Sequence, residues 1–249
     1  MIEVMEYNII YNLDVFANIE LIDNKSIDLV VTDPPYWHHK SPGKPYSQRN
    51  QSNTTSKFAQ SDLYNAEGYL MKSMSDFTDE HIYRLLDILL PKMKIYNGYF
   101  FCSESQVPYY CLWADKHNLM FSILVWEKPI SIINKNRFSQ NLEYCVRVYD
   151  YGTALNKIDI TEYYNRVFHD KPISDKIHPT QKPTTLFRRL IELSSNEGDV
   201  IFDPFMGSGT TAIACKDTNR NYVGFEINSD MYGKLSSRIS NHATQLSLF

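Results

Sequence analysis

An open α/β fold, with a mostly parallel central sheet and helices on both faces, is predicted by three observations. Short apolar runs recur at 27–32, 99–102, 121–126, 200–202 and 221–225. Segments of helical spacing separate most of them, and the runs before Asp33, Asp203 and Glu226 each stop on an acid. Apolar runs bounded by turn signals read as strands buried on both faces. Helices between such strands imply right-handed crossovers.

The elements follow in order. The stretch Tyr7-Asn8-Ile9-Ile10-Tyr11 reads as a short strand, followed by a turn with Asp14 at its end and a helix through Ile19, Leu21 and Ile22. The strand Ile27–Thr32 runs into Asp33-Pro34-Pro35-Tyr36, where two prolines stop it. Beyond Trp37, residues 38–60 are rich in Ser, Asn, Gln, Gly and Pro and carry Lys40, Lys44, Arg49 and Lys57 without an acid. A long basic loop of this kind reads as mobile and suited to a polyanion. Ile82, Leu85, Leu86, Leu89 and Leu90 predict a helix within 77–93, and Asn97-Gly98 turns the chain into a strand at 99–102. A helix over 107–117, a strand over 121–126 and an alternating strand over 142–151 come next.

Outside that last strand, 131–177 mixes polar, basic and aromatic residues (Lys135, Arg137, Phe138, Arg166, His169, Lys171) with no clean period. The segment His178-Pro179-Thr180-Gln181-Lys182-Pro183 is extended by its prolines and leads into a helix at 184–194. The strand 200–202 opens onto Asp203-Pro204-Phe205-Met206-Gly207-Ser208-Gly209-Thr210 and a helix through Lys216. A strand at 221–226, an amphipathic helix at 230–242 and a flexible tail at 243–249 close the chain.

Composition sets limits. A chain of 249 residues can bury a full core, and 43% hydrophobic with 22% charged residues is typical of a soluble globular protein. One domain over 1–249 accounts for the pattern. No apolar run approaches the roughly 20 residues of a membrane span, and the acidic start lacks the order of a signal peptide. Cys102, Cys111, Cys145 and Cys215 show neither paired nor metal-type spacing, which predicts reduced thiols in the cytoplasm and no metal site. A net charge of −4 excludes a protein that is basic all over, but not one with a local basic groove.

Two stretches carry chemistry. Asp33-Pro34-Pro35-Tyr36 delivers an acid, a rigid turn and an aromatic ring to the carboxyl end of a strand, where open α/β sheets bind ligands. The acid and a proline-turn carbonyl can accept the two N–H groups of a planar amine while the ring stacks on its face. The second stretch, Gly207-x-Gly209-x-x-Ala212 with Glu226 on the next strand, fits a nucleoside-binding loop whose acid accepts ribose hydroxyls. Alone it leaves nicotinamide, flavin and S-adenosylmethionine open. Asp203 at its root favours a cationic ligand group, hence S-adenosylmethionine over NAD.

Taken in this order, Asp33–Tyr36, His178–Pro183 and Phe202–Thr210 resemble the permuted beta class of S-adenosylmethionine-dependent DNA amino-methyltransferases. The resemblance covers nearly the whole chain. It implies a Rossmann-like methyltransferase sheet with one reversed strand, and a catalytic tetrapeptide Asp33, Pro34, Pro35 and Tyr36. It implies a cofactor site drawn from Asp14, His178, Thr180, Gln181, Lys182, Pro183, Asp203, Pro204, Phe205, Gly207, Ser208, Gly209, Thr210 and Glu226. Target recognition would lie in 131–177, double-stranded DNA would be the substrate, and the chain would be nucleoid-associated and able to form a homodimer. Asp at the first tetrapeptide position implies adenine N6 as acceptor, with cytosine N4 the alternative. An NAD(P)-dependent oxidoreductase would leave Asp33–Tyr36 and His178–Pro183 without a task, and a catalytically silent DNA-binding relative would not need an intact tetrapeptide. The closing Gln245-Leu246-Ser247-Leu248-Phe249 is similar to the pentapeptides with which bacterial proteins dock on the sliding clamp.

Overall fold

The computed structural model describes residues 6–36, 77–129, 138–139, 141–173, 177 and 180–246. Trp37, the basic loop 38–60, residues 130–137, His178, Pro179 and the last three tail residues lie outside that set. The strands are β1 (Ile9–Tyr11), β2 (Leu29–Thr32), β3 (Asn97–Cys102), β4 (Met120–Glu127), β5 (Leu142–Tyr149), β6 (Val167–Phe168), β7 (Val200–Asp203) and β8 (Asn221–Phe225). The helices are α1 (Val15–Asn18), α2 (Asp79–Leu89), α3 (Val107–Lys116), α4 (Thr184–Ser194), α5 (Thr210–Asp217) and α6 (Ser229–Leu246). Short 3-10 turns add Ile19–Leu21 and Thr161–Tyr164.

The strands form one sheet in the order β1-β8-β7-β2-β3-β5-β4-β6. All pairings are parallel except those of β5, which runs antiparallel between β3 and β4. The expected reversed strand is therefore present and lies inside the sheet. The strand carrying Asp33 precedes the glycine-loop strand by about 170 positions in sequence, yet Leu29 pairs Ile201 and Val30 pairs Phe202.

Strand alternation assigns the two faces. Val30, Phe100, Phe202 and Val223 pack with α2 and α3 in one core, while Leu29, Val31, Tyr99, Phe101 and Ile201 pack with α4, α5 and α6 in the other. Ile82, Leu85, Leu86 and Leu89 of α2 are fully buried, each contributing roughly 1.5–3 kcal/mol by removal from water. Both faces are covered, which explains why these strands read as continuous apolar runs rather than alternating ones.

The irregular stretch after β5 owes its shape to a side chain of another element. The Arg189 guanidinium of α4 donates to the carbonyls of Glu162, Tyr163 and Asn165, and lies 4.4 Å from the centre of the Phe168 ring. Helix α6 runs on to Leu246, so the segment read as a tail begins inside the helix. Among the described residues no helix is long and apolar enough to cross a membrane.

Candidate active site

The parallel strands β1, β8, β7, β2 and β3 deliver their carboxyl ends to one edge of the sheet. At β7 and β2 the chain connections depart to opposite sides, the place where such sheets form a ligand crevice. The Thr32 hydroxyl at the end of β2 donates to Asp203 Oδ1 at the end of β7, at 2.7 Å. That bond clasps the two motif-bearing strands where their loops diverge.

On the β7 side, Gly207 and Gly209 have φ of 50° and 76°, a left-handed region that favours glycine. A Cβ on Gly207 would meet only the Phe205 carbonyl, at 3.7 Å. The outer side of the loop is therefore open. From the end of β8, Glu226 accepts the Gly207 N–H on Oε2 and the Asn228 N–H on Oε1, both at 2.8 Å. Burial raises the Glu226 carboxyl above its ordinary value, and the two N–H donors offset part of the rise. Each oxygen keeps a further lone pair, so Glu226 can accept ribose hydroxyls while it braces the loop. Ser208 and Thr210 are buried, their hydroxyls 3.0 Å apart, and Arg238 of α6 donates to the Ser208 carbonyl at 2.7 Å.

Asp203 differs from its sequence expectation. It is 2% exposed, and its carboxylate is used up inside the protein by Thr32, the Thr211 hydroxyl and the Phe205 N–H. Burial lifts it from 3.8 to about 6, with the Thr211 and Thr32 hydroxyls pulling the other way. The acid that argued for a cationic ligand thus faces inward, and its visible task is to root the loop. Pro204 is buried beside it. Phe205 packs edge-on against Phe77 at 5.5 Å and lies 6.2 Å from Phe16, which draws the Asp14 segment toward the loop. Asp14 itself caps α1 by accepting the Phe16 N–H at 3.0 Å.

On the β2 side, the Asp33 side chain is 23% exposed, with Oδ2 2.6 Å from Lys182 Nζ. Its Oδ1 is buried and has no hydrogen-bond partner among the described residues. Burial raises Asp33 above its ordinary value, the Lys182 ammonium opposes the rise and Glu143 adds to it. Lys182, grouped by sequence with the cofactor's amino-acid end, instead sends its ammonium to the tetrapeptide: it is almost fully buried and also bonds Glu143 Oε2 at 3.0 Å. The same ammonium lies 5.1 Å from the centre of the Tyr36 ring, and the Tyr36 hydroxyl donates to Glu143 Oε2 at 3.3 Å. Gln106 Nε2 donates to the Pro35 carbonyl at 3.3 Å and fixes the far end of the turn. Gln181 and Pro183 are buried around Lys182, with Gln181 accepting the Ile177 N–H at 3.0 Å, whereas Thr180 is exposed.

Sequence reading missed Glu143, Lys128 and Gln106. Glu143 Oε1 bonds Lys128 Nζ at 2.6 Å, and this pair stands beside Lys182 at the base of the β4–β5 hairpin. The only sequence signal was an acid interrupting an otherwise apolar strand. Among the described residues no group of three or more His, Cys, Asp or Glu side chains is placed to hold a metal ion.

A glycine loop, a facing acid and a proline turn ending in a tyrosine meet at the switch point of a parallel sheet with one reversed strand, the place where an α/β enzyme binds its ligands. Residues 27–235 match the family model described as DNA methylase, of the N6/N4 type, and the chain belongs to that family of DNA methyltransferases. The Type II methyltransferase M.HpaI of Haemophilus parainfluenzae is 27% identical over 243 residues, spanning 88% of this chain and 70% of that protein. The fold matches the crystal structure of an M1.HpyAVI–SAM complex with a TM-score of 0.62, 24% identity, and coverage of 92% of this chain and 98% of that one. It also matches the PvuII DNA methyltransferase, which is cytosine-N4-specific, with a TM-score of 0.68, 14% identity, and coverage of 97% and 93%.

Proposed function

We propose that this chain transfers a methyl group from S-adenosylmethionine to the exocyclic N6 amine of an adenine flipped out of double-stranded DNA. The observation that carries the reading is Asp33: one carboxylate oxygen is bound to Lys182, and the other is buried without a donor among the described residues. An unpaired buried acceptor costs about 1–3 kcal/mol, a cost that an incoming N–H removes.

The residues present fit the cofactor. The glycine loop is open on the outer side of Gly207, and Glu226 retains acceptor capacity for ribose hydroxyls. When bound, S-adenosylmethionine supplies a methyl group made electrophilic by its sulfonium. The protein's part is to prepare the acceptor. An amine conjugated to a purine ring is a poor nucleophile because its lone pair is delocalised. Asp33 and the Pro34 carbonyl, by accepting both N–H groups, favour a pyramidal nitrogen and stabilise the positive charge that develops on it. Flipping the base costs a few kcal/mol, and stacking on Tyr36 returns ~1–3 kcal/mol. Target recognition falls to 131–177 in this reading.

Asp rather than Ser at the first tetrapeptide position supports adenine. Duplex DNA incubated with the enzyme and labelled donor, then digested to nucleosides and separated by chromatography, tests the choice. N6-methyladenine is the expected product; N4-methylcytosine as the labelled nucleoside refutes the acceptor.

A further inference from the structure

Four charged side chains from four separate segments meet behind the tetrapeptide. Lys128 follows β4, Glu143 stands near the start of β5, Lys182 precedes α4 and Asp33 follows β2. They alternate in sign along an unbroken chain of contacts: Lys128 to Glu143 at 2.6 Å, Glu143 to Lys182 at 3.0 Å, Lys182 to Asp33 at 2.6 Å. Two positive and two negative groups cancel, as largely buried charges must. The cluster is asymmetric where it matters. Glu143 receives Lys128, Lys182 and Tyr36, whereas Asp33 receives Lys182 on Oδ2, lies within the influence of the Tyr36 hydroxyl, and has no donor on Oδ1 among the described residues.

We propose that Glu143 is a positioning residue of the methyl-transfer site, holding the Lys182 ammonium on Asp33 Oδ2 so that Oδ1 stays open to the acceptor amine. The inference rests on Asp33 being the amine acceptor and adds what keeps it in working order. An ammonium released from Glu143 would move to bridge both Asp33 oxygens and compete with the amine. A carboxylate released from Lys182 would be buried without a counter-ion and would take up a proton, which removes an acceptor. The ionisable groups around Asp33 are Lys182, Glu143 and Tyr36, the buried thiols Cys102 and Cys145, the buried phenol Tyr110, and Asp203 across Thr32. Burial pushes both thiols up, so they stay neutral, and it pushes the Tyr36 phenol well up, with Asp33 and Glu143 adding to the rise.

The test compares Lys182→Met, Glu143→Gln and Asp33→Ala in the full chain, with duplex DNA and S-adenosylmethionine. Measured are kcat against pH, cofactor Kd by calorimetry and the unfolding temperature. Lys182→Met should lower kcat by about 10²-fold and move the acid limb of the profile to higher pH, because Asp33 loses its cation. Glu143→Gln should lower kcat about tenfold and move the acid limb to lower pH, because Asp33 loses a neighbouring negative charge. Opposite displacements of the limb, with cofactor Kd in Glu143→Gln held within about threefold, are not the signature of a merely structural pair. If Lys182→Met does not fold, Glu143→Gln decides alone. An unmoved limb in Glu143→Gln, or cofactor affinity falling in step with kcat, overturns the proposal. An active Asp33→Ala removes the underlying reading; an inactive Asp33→Ala beside a normal Glu143→Gln removes only this inference.

Discussion

At the end of β7 the crevice is held by bonds that all close within the protein, whereas at the end of β2 one acceptor is left over. Asp203 spends its carboxylate on Thr32, Thr211 and the Phe205 N–H, and Glu226 braces Gly207 and Asn228. Asp33, one strand away, has a cation on one oxygen and, among the described residues, no donor on the other. The first half is closed on itself. The second is charged and incomplete, and in the proposed reading the acceptor amine completes it. Preorganised electrostatics of this kind favours a reacting group over a resting one.

Substitution separates the halves. Asp33→Ala should reduce methyl transfer into DNA by at least about 10³-fold while cofactor affinity changes by less than about threefold; label incorporation and calorimetry measure the two. A large loss of cofactor affinity would erase the distinction between the halves. Glu226→Ala should do the reverse, weakening cofactor binding by about 10–100-fold through the loss of charge-assisted hydrogen bonds, with kcat at saturating cofactor little changed. Unaltered calorimetric affinity would remove Glu226 from the site.

The smallest effect is one of stability. Asp203 is raised from 3.8 to about 6 on folding, so between those values the folded state holds a proton that the unfolded state has released. Stability contributed by the protonated group is complete below the unfolded value and is lost as pH rises toward about 6. Asp203→Asn, which keeps the shape and cannot ionise, should gain stability relative to the parent over that window and track it above. Denaturant titrations across the window that run parallel for both proteins would contradict the buried, self-contained carboxyl.

The sequence was most informative where local pattern and burial coincide. The apolar strands β2, β7 and β8 are buried on both faces, and the helix at 184–194 appears with its expected bounds. Asp33 and the glycine loop were visible because prolines and glycines impose backbone conformations that few other residues share. Glu143 was not visible. Its role depends on register, with Trp126 opposite Glu143 and Glu127 opposite Leu142, and on a lysine that arrives from some forty positions later. An acid on an alternating strand otherwise reads as a solvated face. The direction of the Asp203 carboxylate was invisible for the same reason: sequence placed the acid on the loop, but three inward donors decide where it points. Between β5 and α4 no period was legible because Arg189, rather than any repeating pattern, holds that backbone.

The β4–β5 hairpin carries a last consequence. Its base is closed by the Lys128 N–H on the Asn141 carbonyl at 2.7 Å and, just inside, by the Lys128–Glu143 ion pair. Lys128 and Asn141 thus form a seam that is also one end of the charged cluster behind Asp33. Such a seam is a natural graft point: an exchanged loop that keeps Lys128 and Glu143 inherits the acceptor machinery intact, and one that discards either disturbs it from a distance.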